Sequence, residues 1–356
     1  MDTLQPAVDE AKLQAFMGKL VGDMGAAWSG VMVLIGERLG LFKALAEGGP
    51  ATSDELAKRT GTAERYVREW LAAQAAAGYV EYSRTTRRFS MTPEQAMALA
   101  DENSPVYVAA AFDVIKSGYI DEPKVTKAFK TGQGVGWHEH HDCLFRGVER
   151  FFRSGYQANL VQAWIPALDG VAAKLAGGAK VADVGCGHGV STVLMAKAFP
   201  NSRFVGYDYH AASIERARAA AAEAGLANAT FEIATAKNFP GRDYDLVACF
   251  DALHDMGDPQ GAAAHIRKAL KPDGTFMLVE PFANDDVADN LNPVGRLYYS
   301  GSTMICTPAS LAQEVGLGLG AQAGEARLRE VVTAGGFTRF RRATETPFNL
   351  ILEARP

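Results

Sequence analysis

The chain has 356 residues, enough for one large or two ordinary domains with real cores. Its 48% hydrophobic and 22% charged residues fit a globular protein, and a net charge of −5 argues against a dedicated nucleic-acid or membrane-surface binder. The four cysteines, Cys143, Cys186, Cys249 and Cys306, are scattered without a Cys-x-x-Cys pair, which suits a reduced cytosolic protein better than a disulfide framework or a zinc site.

Residues 1–10 carry Asp2, Asp9 and Glu10 and no basic stretch, so no secretory signal is expected and the chain reads as cytoplasmic. The most apolar early run, 26–36, reads as too short to span a bilayer. Apolar residues at three- and four-residue spacing predict helices over 13–21 and 28–46. Val31, Leu34, Ile35, Leu39, Phe42 and Leu45 form a wide stripe that must be covered, and a homodimer through these helices is expected.

A compact pattern follows. Thr52 opens a capping box with Glu55, Gly61 breaks the first helix, Thr62 caps the second, and Gly78 ends it. Two short strands around a turn at 83–87 and a helix over 92–99 complete a winged-helix pattern. Over 51–90 seven basic residues face five acidic ones, a weak footprint for phosphate binding. A structural or dimerising module is therefore expected rather than a DNA reader. The expected divisions are 1–100 for this part, 101–165 for a helical connector and pocket lid, and 166–356 for the rest.

Within the connector, Trp137-His138-Glu139-His140-His141-Asp142-Cys143 has ligand-type residues but no second cluster to complete a metal site. Phe151, Phe152, Tyr156 and Trp164 recur at helical spacing; they suit core packing, and Phe152 or Tyr156 could instead wall a pocket. From residue 179, strand-like runs (180–184, 203–208, 230–233, 246–250, 275–280) alternate with helical ones (190–198, 211–224, 260–270, 323–334). That alternation predicts an α/β, doubly wound, mostly parallel sheet, closed by an antiparallel pair over 338–343 and 349–353.

The first of these strands ends in Asp183-Val184-Gly185-Cys186-Gly187-His188-Gly189. A glycine turn between strand and helix lets a ligand approach the backbone. Val190 stands where a dinucleotide fingerprint would want glycine, which speaks against a nicotinamide enzyme. Asp208 ends the second strand, where an acid can take both hydroxyls of a ribose.

The Asp183–Gly189 loop, Asp208 after Val205-Gly206-Tyr207, Tyr244-Asp245-Leu246-Val247 and Leu270-Lys271-Pro272-Asp273-Gly274 together resemble a class I S-adenosylmethionine-dependent methyltransferase. With the winged-helix front, the chain is similar to small-molecule O-methyltransferases and their bacterial relatives. The resemblance implies a seven-stranded Rossmann-like sheet, S-adenosylmethionine as cofactor and a small-molecule acceptor. It places Gly185 and Gly187, with Asp183 before them, at the aminoacyl end of the cofactor, and Asp208 on its ribose. Tyr209 and Thr235 or Ala236 would lie by the adenine, and Phe250 and Asp251 by the methionine.

Leu253-His254-Asp255-Met256-Gly257-Asp258 resembles the His-Asp-Trp-x-Asp segment of plant-type O-methyltransferases, with Met256 in the tryptophan's place. That implies His254 as general base; a loop-anchoring role is the alternative, with Asp251 the reserve base or acceptor-orienting group. Asp285 and Asp286 do not match a catechol-type metal pattern, so no metal is expected. Residues 297–305, with Tyr298, Tyr299 and Met304, are expected to roof an apolar acceptor pocket. The competing reading is a DNA-binding regulator with a methyltransferase-like sensor domain.

Overall fold

The computed structural model describes residues 8–356, so the absence of a signal read from residues 1–10 concerns mostly positions outside the described ones. The chain forms two compact units, one ending at Lys116 and one beginning at Ser117.

In the first unit, the Asp9 carboxylate accepts the N–H groups of Ala11 and Lys12 and starts α1, Glu10–Arg38. The sequence predicts two helices here, and the structure has one of 29 residues. Gly22 and Gly25 weaken the helix without interrupting its hydrogen-bond ladder, since neither removes a donor. The break comes at Gly40, which takes φ +68 and opens α2, Leu41–Gly48. The longer helix also changes the membrane argument. By length and composition α1 is long and apolar enough to cross a bilayer, although only Gly30, Val33, Leu34 and Gly36 of it are buried.

The winged-helix pattern is present. The Thr52–Glu55 capping box starts α3, Ser53–Thr60, and left-handed Gly61 ends it. The second helix, α4 (Glu64–Ala76), is capped by Ala63 rather than Thr62, whose hydroxyl bonds Thr60 instead. An antiparallel hairpin, β1 (Glu81–Ser83) and β2 (Arg88–Ser90), and then α5 (Pro93–Leu99) from a Thr92–Gln95 capping box complete it. Phe42, Leu45, Leu56, Trp70 and Leu71 form its core. Its cations are largely spoken for: Lys58 pairs with Asp54, Arg65 with Glu69, Arg68 with Glu64 and Arg88 with Glu55, all at 2.6–2.9 Å. The division between units falls inside α6, Ala111–Thr131.

The second unit continues with α7 (Cys143–Asn159), a π-helical turn Leu160–Trp164, and α8 (Val171–Gly177). Strand and helix then alternate: β3 (Lys180–Val184), α9 (Val190–Ala198), β4 (Arg203–Asp208), α10 (Ala211–Glu223), β5 (Ala229–Ile233), β6 (Tyr244–Phe250), α11 (Pro259–Ala269) and β7 (Leu270–Pro281). Three helices, α12 (Pro293–Gly301), α13 (Thr307–Leu311) and α14 (Gly324–Ala334), precede β8 (Arg339–Glu345) and β9 (Asn349–Arg355). Among the described residues these strands form one seven-stranded sheet, β5-β4-β3-β6-β7-β9-β8, antiparallel only at β9 and β8.

β6 is buried on both faces, so its run is almost continuously apolar rather than alternating. Val181, Leu246, Ala248 and Met277 enter one core layer, and Ala182, Val247, Cys249 and Phe276 the other. Strand order reverses between β3 and β6, which opens a crevice at their carboxyl ends. β7 is longer than its sequence pattern suggests. Leu270 already pairs with Tyr244, and the register then shifts so that Thr275 meets Leu246.

Candidate active site

The glycine loop leaves β3 and feeds α9. Gly185, Gly187 and Gly189 take φ of +75, +51 and +78, a region that side chains with a Cβ rarely occupy. A Cβ on Gly189 would also lie 2.7 Å from Phe231. Asp183 sits behind this loop, 1% exposed, and is not part of the cavity lining. Its Oδ2 accepts the hydroxyls of Ser191 and Thr192 at 2.6 Å, which ties the end of β3 to the first turn of α9. Burial raises its carboxyl to about 6, against the pull of the two hydroxyls.

Asp208, at the end of β4, faces the loop from the side. Its Oδ2 accepts the Gly187 N–H at 2.9 Å and its Oδ1 the His210 N–H at 2.8 Å. Each oxygen keeps capacity for one more donor, so the carboxylate can also take a pair of ligand hydroxyls.

A cavity of about 600 Å³ opens here, lined by Gly185, Gly187, Asp208, Tyr209, Thr235, Ala236, Phe250, Asp251 and Tyr156. These nine residues of the sequence reading thus converge on one cavity, with Phe152 beside them; Asp183 and His254 lie outside its lining. Thr235 donates its hydroxyl to Asn238 at 2.8 Å. Trp137, Phe145 and Phe152 supply an aromatic wall, with Val148 and Glu149 beside it. Phe152 stacks on Tyr156, which leans on Phe250. At the rim, Lys237 bonds Glu314 at 2.8 Å and Asp258 at 3.2 Å, and all three line the cavity.

Asp251 is held from two sides. The Tyr156 hydroxyl donates to its Oδ2 at 2.6 Å and the Asn349 amide to its Oδ1 at 2.9 Å. Its backbone is left-handed, φ +48, which an aspartate tolerates better than most residues. Burial pushes its carboxyl up to about 7, although Tyr156 draws it down.

His254 lies one turn beyond β6, 2% exposed. Its Nδ1 bonds Glu280, at the end of β7, whose other oxygen accepts the Leu253 N–H at 3.1 Å. Its Nε2 lies 3.2 Å from Asp255 Oδ1. Burial alone would depress this imidazole; the Glu280 and Asp255 carboxylates outweigh it and hold the group well above its ordinary value. Among the described residues, His254, Asp255 and Cys306 are the group whose donor atoms converge, all within 4.8 Å. The 137–143 cluster does not: His140 bonds Asp121 and His141 bonds Cys143.

The expected roof over 297–305 is a correction. None of those residues lines this cavity, and the Tyr298 hydroxyl donates to the Phe348 carbonyl; Ala309, Gln313 and Glu314 stand on that side instead. Sequence reasoning missed Glu280 and Asn349 as site residues. A single acid closing the apolar run Phe276–Val279 is a signal that could have found Glu280; Asn349 had none.

Residues 175–326 match a methyltransferase-domain family, and residues 27–101 match the Rv2258c-like winged HTH domain family. The uncharacterized methyltransferase YcgJ of Bacillus subtilis is 31% identical over 122 residues, 33% of this chain and 47% of YcgJ. A ubiquinone biosynthesis O-methyltransferase of Pectobacterium carotovorum is 38% identical over 101 residues, 27% of this chain and 41% of that protein. The chain thus spans less than half the length of these curated relatives. Human N-acetylserotonin methyltransferase, solved with its cofactor SAM, superposes with a TM-score of 0.70 at 16% identity, over 99% of both chains. At that identity the likeness is one of fold. The sheet order, the glycine loop with Asp208, and the two family matches agree that this chain joins a winged-helix domain to a class I S-adenosylmethionine-dependent methyltransferase domain.

Proposed function

We propose that the chain transfers the methyl group of S-adenosylmethionine to a hydroxyl of a small, largely apolar molecule, with no metal in the transfer step. The observation that carries this reading is the shared cavity: glycine loop and Asp208 at one end, Tyr156, Phe250 and Asp251 at the other. Gly185 and Gly187 take the aminoacyl end, Asp208 the ribose, and Tyr209, Thr235 and Ala236 the adenine. With Thr235 donating to Asn238, its neighbours' backbone groups serve the adenine amine. Phe152, Tyr156 and Phe250 wall the sulfonium, and Asp251 lends it negative charge.

Methyl transfer is an in-line displacement. The acceptor oxygen must be aligned with the methyl carbon, and it gains by losing its proton. His254 takes that proton, with Glu280 fixing the ring and stabilising the imidazolium that forms. The aromatic wall of Trp137, Phe145 and Phe152 suits an aromatic or hydrophobic acceptor. The similarity to the Pectobacterium ubiquinone biosynthesis O-methyltransferase supports oxygen as the methylated atom.

The winged helix serves this enzyme as a structural module. Four of its seven basic side chains are already paired, which leaves little for phosphate. The exposed apolar face of α1, with Phe16, Leu20, Met24 and Trp28, is covered by a second copy rather than by lipid, since Lys19 and Asp23 interrupt it. The free cysteines suit a reduced cytoplasm.

The test is turnover of His254→Ala, read as S-adenosylhomocysteine release over a panel of hydroxylated aromatic and aliphatic compounds. We expect a loss of about 10²–10⁴-fold with cofactor affinity kept. Normal turnover would remove His254 as the base.

A further inference from the structure

The segment after β6 and the turn before α13 bring three different donor atoms together, His254 buried and Asp255 and Cys306 half-buried. His254 Nε2, Asp255 Oδ1 and Cys306 Sγ all lie within 4.8 Å of one another. The closest pair, Nε2 and Oδ1, is 3.2 Å apart. Around a tetrahedral zinc ion, with metal–nitrogen and metal–oxygen distances near 2.0–2.2 Å and metal–sulfur near 2.3 Å, neighbouring donors stand roughly 3.3–3.6 Å apart. The His254–Asp255 pair is already close to that spacing.

Two further observations point to a ligand. Asp255 Oδ1 is buried and takes no hydrogen bond of good geometry: His254 Nε2 approaches to 3.2 Å off the hydrogen-bonding direction, and the Cys306 thiol lies beside it. A buried carboxylate oxygen without a well-directed donor is one that a cation can satisfy. Behind the cluster, Glu280 holds His254 by Nδ1, which aims Nε2 at the other two donors. A carboxylate behind the imidazole is the usual support of a metal-ligating histidine. Glu280 is itself fixed by the Leu253 N–H, so the ring has little freedom.

The segment carrying Cys306 is anchored as well. The Ser310 hydroxyl, just after it, donates to the Met256 carbonyl at 2.8 Å, and Gln313 donates to the Asp255 carbonyl at 2.7 Å. The two halves of the cluster are therefore clamped to each other independently of any ion.

We propose that His254, Asp255 and Cys306 form a binding site for a borderline divalent cation of the zinc class, with one coordination position left open. One imidazole, one carboxylate and one thiolate favour zinc or cobalt over magnesium or calcium, which prefer oxygen alone. Such an ion takes the Nε2 lone pair. If His254 is the base as proposed above, the loaded chain lacks a free base, and the ion acts as an inhibitor. Binding of the ion does not itself depend on that reading.

Cobalt(II) is the probe, added to the full chain saturated with S-adenosylhomocysteine. One equivalent should give the visible absorption of tetrahedral cobalt and a thiolate-to-cobalt charge-transfer band in the near ultraviolet, both abolished by zinc. Cys306→Ser should lose the charge-transfer band and bind cobalt more than about tenfold more weakly. Its unchanged affinity for S-adenosylhomocysteine would show that the fold is intact. No band in the unaltered chain, or the same band in Cys306→Ser, overturns the site. Calorimetry of S-adenosylhomocysteine without cobalt separates this failure from failure of the methyltransferase reading.

Discussion

Between Glu280 and Asp255, His254 holds its proton more firmly than a free imidazole does. As a base it must first give that proton up, so activity that depends on it rises with pH through and above neutrality. Removing one carboxylate weakens the hold. We expect Glu280→Gln to move the rising limb of the kcat/KM profile to lower pH, with a lower maximum because the ring is less well fixed. A limb that stays in place would mean Glu280 does not govern the titrating group. At the other end of the cavity, Asp208→Ala should weaken S-adenosylhomocysteine binding by on the order of 1–3 kcal/mol, measured by calorimetry. The substitution also frees the Gly187 N–H, so part of the loss reaches the ligand through the loop. An unchanged affinity would reject the ribose assignment. These residues were legible because motifs name positions in the chain. Their partners were not: Glu280 is 26 positions from His254 and Asn349 is 98 from Asp251, and only the sheet brings them together.

At the scale of elements, local chemistry explains most boundaries. Capping boxes at Thr52 and Thr92 start their helices where the sequence pattern places them, and Gly61 ends one through its left-handed backbone. The errors are informative. Thr62 lost its cap position because Thr60 offers its hydroxyl a nearer partner. The two N-terminal helices merged because apolar spacing weakens over 22–27 while the backbone hydrogen bonds carry on. That merger gives α1 its reach and leaves large apolar side chains exposed along it; Trp28 is 70% exposed. The full chain should sediment as a dimer. Leu20→Glu with Trp28→Glu should give monomers of unchanged circular dichroism, since neither side chain belongs to the core. A wild-type monomer at micromolar concentration would refute dimerisation through this face.

For the molecule as a whole, alternation of strand and helix made the sheet legible, and burial on both faces made its central strands so. Nothing in the pattern revealed which loops would meet across the crevice. Lys237 follows β5, Asp258 opens α11 and Glu314 follows α13, yet one ammonium joins them at the rim. With Glu314 80% exposed, the pair is of the kind worth no more than about 1 kcal/mol and is readily screened. The consequence concerns departure rather than chemistry. If the chain works as proposed and S-adenosylhomocysteine leaves past this tether, raised ionic strength should quicken its escape. Stopped-flow release measured from 0.05 to 0.5 M sodium chloride, roughly the range over which the Debye length falls from above 10 Å to below 5 Å, should accelerate severalfold. Lys237→Met should release at the fast rate in any salt. An enzyme paced by that exit would run faster in brine than in dilute buffer.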